Sequence, residues 1–528
     1  APAPAPAPPP HPMRTGVTTH FSQGWPPRLL PAAAALGTVT IRDSLHWAAA
    51  EAAPGRIAFT EANSGHITRA CAMGMTVLLG LEPRNPSYDG GMTAWSPRAR
   101  SAFARYVLAI ADRWPNCVVA IEIGNEINGR GNVTGPAAQD RIASHVALLK
   151  AVHAAVKPRH PGLVLLGGST NTIATGFLTR LIRAGALDHV DGLAVHPYRE
   201  QPEGTAWEIA RLRAAMARAG AVKPIWATEF SREFPDPAAA APWYLKMIAL
   251  LEGAGVADHF WYALADQSFF PTMGLLTRDG TPKPAAAAYR FATRTLAPRG
   301  AAQRIDHGDP ALFHFRFGAD AHVIWGARRS LAVSGPADAF AADGSPLALP
   351  AEVSDTPVVI TGSGAVSFGP AQVLADSFYG FARAPLAWFA QAPRGSLTPL
   401  TPTDWQWTSY LGEPALPLMQ VNRAGLGTMP GAGTLLRYTA RSTETLVASV
   451  CLRPKGKPAR TPATAMLARN GAPLWRGTTG TGPALGSATI AVRPGDTLDF
   501  VLPPRPGASL RLNYRFRVSR TAADTARC

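Results

Sequence analysis

Cysteine is scarce in this chain, with four in 528 residues, Cys71, Cys117, Cys451 and Cys528. None shows the C-x-x-C or Cys/His spacing that would hold zinc. Cys451 and Cys528 share the C-terminal region and can pair, whereas Cys71 and Cys117 read as small buried apolar residues. Long apolar runs are missing too: none approaches the roughly 20 residues needed to cross a bilayer, so stable membrane insertion is not expected. There is no G-x-S-x-G nucleophile elbow, no P-loop and no metal-ligand cluster, so no cofactor or metal is expected. Acidic residues are outnumbered, 35 against 51 basic, leaving a net charge of +16 carried mostly by arginine. Such a field favours polyanions. The basic residues are scattered, and their densest cluster, RPKGKPAR at 453–460, reads as a solvated loop. With no recognition module beside the charge, nucleic acid is not an expected partner.

What is present is a large apolar fraction, 47%, enough for a globular protein with an extensive core. The length predicts several domains. Residues 1–13 begin with APAPAPAPPP, an extended, stiff spacer. With no initiator methionine ahead of it, the chain reads as a processed product that has lost an export signal, which predicts a periplasmic or secreted bacterial protein.

From 14 to 298, eight short β-rich runs alternate with helical stretches: TGVTTH (15–20), TVTIR (38–42), TVLLGLE (76–82), CVVAIEIG (117–124), LVLLGG (163–168), VDGLAVH (190–196), PIWATEF (224–230) and HFWYALA (259–265). Most are continuously apolar, as parallel strands covered on both faces must be. Between them, 96–114 and 137–156 are helical, the latter placing Ile142, Val146, Leu149, Val152 and Val156 on one face. Eight such units in about 285 residues predict a (β/α)8 TIM barrel. An open doubly wound sheet is the alternative, but it lacks its Gly-rich turn here. Residues 299–368 alternate short strands with Gly, Asp and Pro, predicting a small antiparallel β-domain. Residues 369–520 predict a C-terminal β-sandwich or jelly roll, with hairpin turns at Asn470-Gly471 and Pro494-Gly495. The last eight residues, 521–528, read as a frayed tail.

A TIM barrel carries its active site at the C-terminal ends of its strands. Those ends offer His20 and Trp25 after the first strand, Arg42 on the second, Asn85 and Tyr88 beyond the third, and Asn125-Glu126 on the fourth. They continue with His196 and Tyr198 on the sixth, Glu229 on the seventh, and Trp261 and Asp266 on or after the eighth. Glu229 stands three βα units downstream of Glu126, at roughly 31 to 35 residues each, so the two face each other across the barrel mouth. Retaining glycosidases need such a pair, about 5 Å apart, one a proton donor and one a nucleophile. Arg42 beside Glu229 would keep it ionised, His196 and Tyr198 would orient it, and Asn125 suits a sugar 2-hydroxyl. Trp261 offers a flat face to a sugar. Glu82 and Glu122 read as buried carboxylates with polar partners, and His145, His153 and His160 as helix-surface residues.

These motifs resemble the glycoside hydrolases of clan A and, within them, family 39. The resemblance rests on GNE (124–126), VHPY (195–198), ATEF (227–230), IRDSLHWAAAEAAPG (41–55) and GLLTRDGTPKPAAAAYR (274–290), and covers residues 14–368. It implies Glu126 as acid/base and Glu229 as nucleophile. GVTTHFSQGW and NPSYDGG resemble bacterial endoglycosidases encoded with exopolysaccharide synthesis genes. Endo-cleavage of an exopolysaccharide, possibly acidic, is therefore the leading expectation, with the synthesis and export machinery as a candidate partner. An exo-acting xylosidase, arabinofuranosidase or uronidase is the first alternative. A silent polysaccharide-binding protein is the second. Clan members commonly carry tryptophan before GNE; here the strand reads Ile-Glu-Ile, which leaves Glu122 open. WQWTSYLG (405–412) loosely resembles carbohydrate-binding modules, with Trp405, Trp407 and Tyr410 as sugar platforms or as sandwich core.

Overall fold

The computed structural model describes residues 13–455, 462–480, 482–507 and 509–527. Eight parallel strands close a barrel: β1 (Thr15–Thr18), β2 (Thr40–Ser44), β3 (Thr76–Leu81), β4 (Val118–Ile123), β5 (Val164–Asn171), β6 (Gly192–His196), β7 (Ile225–Phe230) and β8 (His259–Trp261). They pair in sequence order, and β8 closes on β1. The helices between them include α1 (Leu29–Ala35), α2 (Glu61–Ala72), α3 (Pro97–Arg113), α4 (Arg141–Val156), α5 (Thr175–Arg183), α6 (Thr205–Arg218), α7 (Ala240–Gly253) and α8 (Pro284–Phe291). Local chemistry sets several starts. Thr60 and Asn63 form a reciprocal capping box on α2, Ser96 caps α3 ahead of Pro97, and Asp140 caps α4. Among the described residues no helix is long and apolar enough to cross a membrane.

Strand alternation divides the barrel's apolar residues between two layers. Leu78, Ala120, Leu166, Ala194, Trp226 and Phe260 fill the barrel interior, as the packed centre of this fold requires. Outward-facing strand residues such as Ile41, Leu79, Ile121, Ile123, Val195 and Ala227 join the larger core under the helices. The face of α4 is rotated from its expected position: His145, Leu148, Leu149, Val152 and Val156 are buried, while Ile142 and Val146 are only half-buried. His145 is thus not a surface residue, and burial lowers its pKa to about 4.

Cys71 and Cys117 were expected as unpaired apolar residues, but they form a disulfide with Cα atoms 5.6 Å apart. The reason is topological: the end of α2 lies beside the segment entering β4, because β3 and β4 are neighbours. The expected pairing of Cys451 involves Cys528, which lies outside the described residues.

Beyond α8, a six-stranded sheet between Ala302 and Thr361 and a three-stranded sheet made by Arg329–Ser334, Glu352–Val353 and Ala365–Phe368 form the small β-domain. Its Phe313, Phe315 and Trp325 continue the barrel's outer core. The C-terminal region is a sandwich of eight-stranded and six-stranded antiparallel sheets. Its core includes Trp388, Leu436, Phe500, Tyr514 and Phe516. Asn470-Gly471 does turn a hairpin, between Thr464–Arg469 and Ala472–Thr478. Pro494-Gly495 does not: the strand before it pairs in one sheet and the strand after it in the other. Nor is the tail frayed over its described residues, 521–527. Asp524 is buried and bonded to Arg328 at 3.1 Å, and the Ala526 N–H donates to Ser449 Oγ.

The sandwich is fastened to the barrel by its loop at 404–408. Asp404 accepts two bonds from Arg211 at 2.6 and 2.9 Å, Thr408 Oγ1 donates to Glu208, and Asn128 Nδ2 donates to the Gln406 carbonyl. Trp405 is 43% exposed, and Trp407 and Tyr410 are half-buried.

Candidate active site

One layer above the apolar interior, the inward positions turn polar. Arg42 on β2, Glu122 on β4 and His196 on β6 are all buried inside the barrel. Gly80 on β3 makes the space: a Cβ there would stand 3.1 Å from Arg42 Nη2. Arg42 meets Glu122 edge-on, its Nε and Nη2 each donating at 3.1 Å. Its remaining donors reach upward, Nη1 to Glu229 Oε1 at 2.5 Å and Nη2 to Asn125 Oδ1 at 3.2 Å. Glu122, the residue left open by the sequence, is therefore the carboxylate that pins the guanidinium beneath the other two glutamates.

Glu126 follows a sharp turn. Its φ is +43°, a left-handed conformation that a non-glycine residue holds only where its surroundings enforce it, at about 1–3 kcal/mol. The Glu126 N–H donates to Ser169 Oγ at 3.1 Å, and Asn171 Nδ2 donates to Glu126 Oε1 at 2.9 Å. Glu229 reaches the cleft through a bulge. Between β7 and β8 the register slips, so that three steps on β7 match two on β8. The extra residue lets Ala227 and Phe230 both face the helices while Glu229 turns inward. Tyr198 OH donates to Glu229 Oε2 at 2.5 Å.

His196 joins the carboxylates. Its Nδ1 lies 3.1 Å from Glu126 Oε1 and 3.4 Å from Glu229 Oε2, and its Nε2 lies 3.6 Å from Glu122 Oε1. A ligand atom from each of Glu126, His196 and Glu229 lies within 4.8 Å of the others. That spacing would also suit a cation, but the Arg42 guanidinium against Glu229 already supplies positive charge there. Burial opposes the charge on His196, yet Glu229, Glu122 and Glu126 outweigh it and raise its pKa to about 9. Burial likewise opposes the charges of Arg42 and Glu122, but their mutual attraction raises the first and holds the second well below the usual carboxylate range. For Glu126, burial is outweighed by His196 and Asn171, which lower its pKa. His196 therefore keeps its proton at neutral pH, and its Nδ1 stands 3.1 Å from Glu126 Oε1.

A cleft of 750 Å³ opens above this cluster. Of the expected site residues, His20, Arg42, Asn125, Glu126, Tyr198 and Glu229 line it. His196 lies directly beneath, and Trp25 supports His20 edge-on with ring centres 5.1 Å apart. Four expected residues do not reach it. Trp261 is fully buried under the helices, packed on Phe230, Phe234 and Tyr244, with its Nε1 donating to the Met273 carbonyl. Its neighbour Tyr262 faces the cleft instead, because adjacent strand residues point to opposite sides. Tyr88 stacks on Trp47 at 5.1 Å and donates to Glu51, and Asn85 Nδ2 donates to the Glu51 carbonyl. Both brace a loop rather than a ligand. Asp266 clips the closing segment through Lys283 at 2.6 Å and the Gly274 N–H at 2.7 Å. The cleft also holds Asn171, Arg199, Arg232, Tyr262 and Phe270, which the sequence reading did not select. Asn171 and Tyr262 stood at strand ends and were open to selection; Arg199, Arg232 and Phe270 lie in loops and carried no such signal.

No known family's sequence pattern matches the chain, and no curated protein matches it. Among solved structures it is similar to a family 39 glycoside hydrolase from the gut symbiont Bacteroides cellulosilyticus WH2, with a TM-score of 0.57 and 17% identity over 66% of this chain and 81% of that one. A GH39 enzyme from Xanthomonas axonopodis pv. citri aligns over 95% of this chain and 96% of its own, at a TM-score of 0.47 and 16% identity. A GH30 endoxylanase from Clostridium papyrosolvens C71 aligns over 68% and 97%, at 0.48 and 13%. The chain has the fold of the Bacteroides family 39 glycoside hydrolase, the family its motifs resemble.

Proposed function

We propose that the chain is a retaining glycoside hydrolase that cleaves within an exported, acidic polysaccharide. The observation that carries the chemistry is the pair Glu126 and Glu229, with carboxylate oxygens within 4.8 Å across an open cleft. About 5 Å is the separation at which a second carboxylate attacks carbon directly instead of activating a water. Arg42 and Tyr198 each hold one oxygen of Glu229. They hold it aimed as it displaces the leaving group from the anomeric carbon. Glu126 delivers the proton of the His196–Glu126 pair to the departing glycosidic oxygen. It then takes a proton from the water that frees the sugar from Glu229. Arg42 holds Asn125 Oδ1, which leaves the Asn125 amide NH2 for a sugar 2-hydroxyl.

The choice of an acidic polymer is supported by the net charge of +16. Export is supported by the Cys71–Cys117 disulfide, which persists in oxidising compartments. Incubation with neutral and uronate-containing polysaccharides, followed by product sizing, tests the reading. Internal cuts yielding oligosaccharides are expected. Monosaccharide alone would transfer the assignment to an exo-glycosidase, and binding with no turnover of any glycan would transfer it to a silent binder.

A further inference from the structure

A second cavity, of 260 Å³, lies between the barrel rim and the C-terminal sandwich. It adjoins the catalytic cleft: Tyr198, Arg199 and Glu200 line both. From the barrel come the loop after β6 and the start of α6; from the sandwich come Asn422, Arg423, Lys455 and Asn513. The loop at 404–408 holds the two walls together, so the groove is a built feature of the fold.

Its charge is unbalanced. The groove's carboxylates are already paired, Glu208 with Arg199 at 2.5 Å and Glu200 with Arg232 at 2.6 Å. Among the described residues, Arg423 and Lys455 have no carboxylate within ion-pair distance. Arg423 donates to the carbonyls of Phe378 and Tyr379 through Nη1, while its buried Nε has no partner. The acid that acts on it, Glu203, is buried and bonded to Lys246 at 3.0 Å. Burial lowers the Arg423 pKa to about 10, which leaves it charged at neutral pH. Gly204 keeps this corner open: a Cβ there would stand 3.1 Å from Arg199 Nη1 and 3.8 Å from Arg423 Nε. The amides of Asn422 and Asn513 and the flank of Trp207 complete a lining suited to a hydroxylated ring bearing a negative charge.

We propose that this interdomain groove is a distal subsite that binds a carboxylate-bearing sugar unit of the chain being cut, so that the C-terminal sandwich selects substrate. The inference rests on the reading of the neighbouring cleft as a glycosidase site. Binding places the uronate carboxylate against Lys455 and Arg423 while the polymer runs past Tyr198 to Glu126 and Glu229.

The test uses the full chain as Glu229→Gln, to prevent turnover, with size-fractionated oligouronates and the same oligosaccharides after carboxyl reduction. Hydrogen exchange should show oligouronate protecting both 199–208 and 422–425, and the reduced forms failing to protect either. Lys455→Glu, at an exposed position, should weaken oligouronate binding on the order of five- to tenfold. Protection confined to the strand ends around Glu126 and Glu229, equal protection by the reduced forms, or an unchanged affinity in Lys455→Glu would overturn the proposal. Groove protection in a chain whose wild type turns over no glycan would sink the catalytic reading and leave the groove standing.

Discussion

The two ends of the barrel each bury acids beside a histidine, and only one end has the makings of a site. At the base, His259 Nε2 lies 2.9 Å from Glu252 and Asp258 accepts from Arg14 at 3.0 Å. Burial pushes Asp258 up to about 7, as large a displacement as many functional groups show. At the mouth, His196 serves three carboxylates at once and the cluster opens into a 750 Å³ cleft. A perturbed pKa is therefore common to both ends. What separates them is sharing and access: groups paired one to one hold the fold together, while groups that share a proton under an open cleft can pass it to a ligand.

The comparison breaks most visibly at Glu229. Glu229→Gln should lower kcat/KM roughly ten-thousandfold or more, and because Glu122 still holds Arg42 through two bonds it should cost less stability than loss of Glu122. Glu252→Gln at the base should leave the kcat/KM of the folded protein nearly unchanged and lower its stability, a split that paired kinetics and denaturant melts will read. Glu122→Gln should behave as a hybrid of the two. Removing one partner of a buried ion pair costs about 3–5 kcal/mol, and the loosened Arg42 should lower kcat as well. Removing with serines the Cys71–Cys117 bridge, which lies on the base side and touches neither acid cluster, should cost about 2–4 kcal/mol in denaturant unfolding at unchanged kcat.

The pH dependence sharpens the contrast. His196, raised from 6.5 to about 9, contributes stability that is complete below pH 6.5 and lost as pH rises through 9. The same proton supplies the acid, so kcat/KM should fall on an alkaline limb near 9, and His196→Asn should remove that limb. Asp258, an acid raised from 3.8 to about 7, makes the fold lose stability as pH climbs between those values. Asp258→Asn should flatten that window without moving the activity profile. The smallest contrast lies on β8: Tyr262→Ala should raise KM about tenfold on an oligosaccharide, whereas Trp261→Phe should leave KM unchanged.

Much of this was legible in the residues because the fold places strand ends on one face. Eight apolar runs alternating with helical stretches predicted the barrel, and two glutamates three units apart predicted the pair across its mouth. Trp261 was misplaced because Phe260, Trp261 and Tyr262 are all aromatic, so no alternation of polarity reveals which side each faces. The bulge that turns Glu229 inward depends on pairing with β8 and leaves no mark in ATEF itself. Asn85 and Tyr88 failed for a related reason: a loop beyond a strand end can fold back on Trp47 and Glu51 as readily as over a ligand. The disulfide depended on two helix and strand ends meeting in space, which a separation of 46 residues does not encode. Glu122 gained its role only when Arg42 was seen to lie against it.

The central claim, a covalent intermediate on Glu229 formed with Glu126 as acid, is tested most directly by trapping. The wild-type chain is incubated with a panel of 2-deoxy-2-fluoro glycosides of neutral and uronic sugars, and the product is digested and sequenced by mass spectrometry. The account predicts a single glycosyl adduct on the peptide spanning β7, carried by Glu229 and absent from Glu229→Gln. An adduct on another residue, or hydrolysis of a natural substrate with inversion at the anomeric carbon, would contradict it.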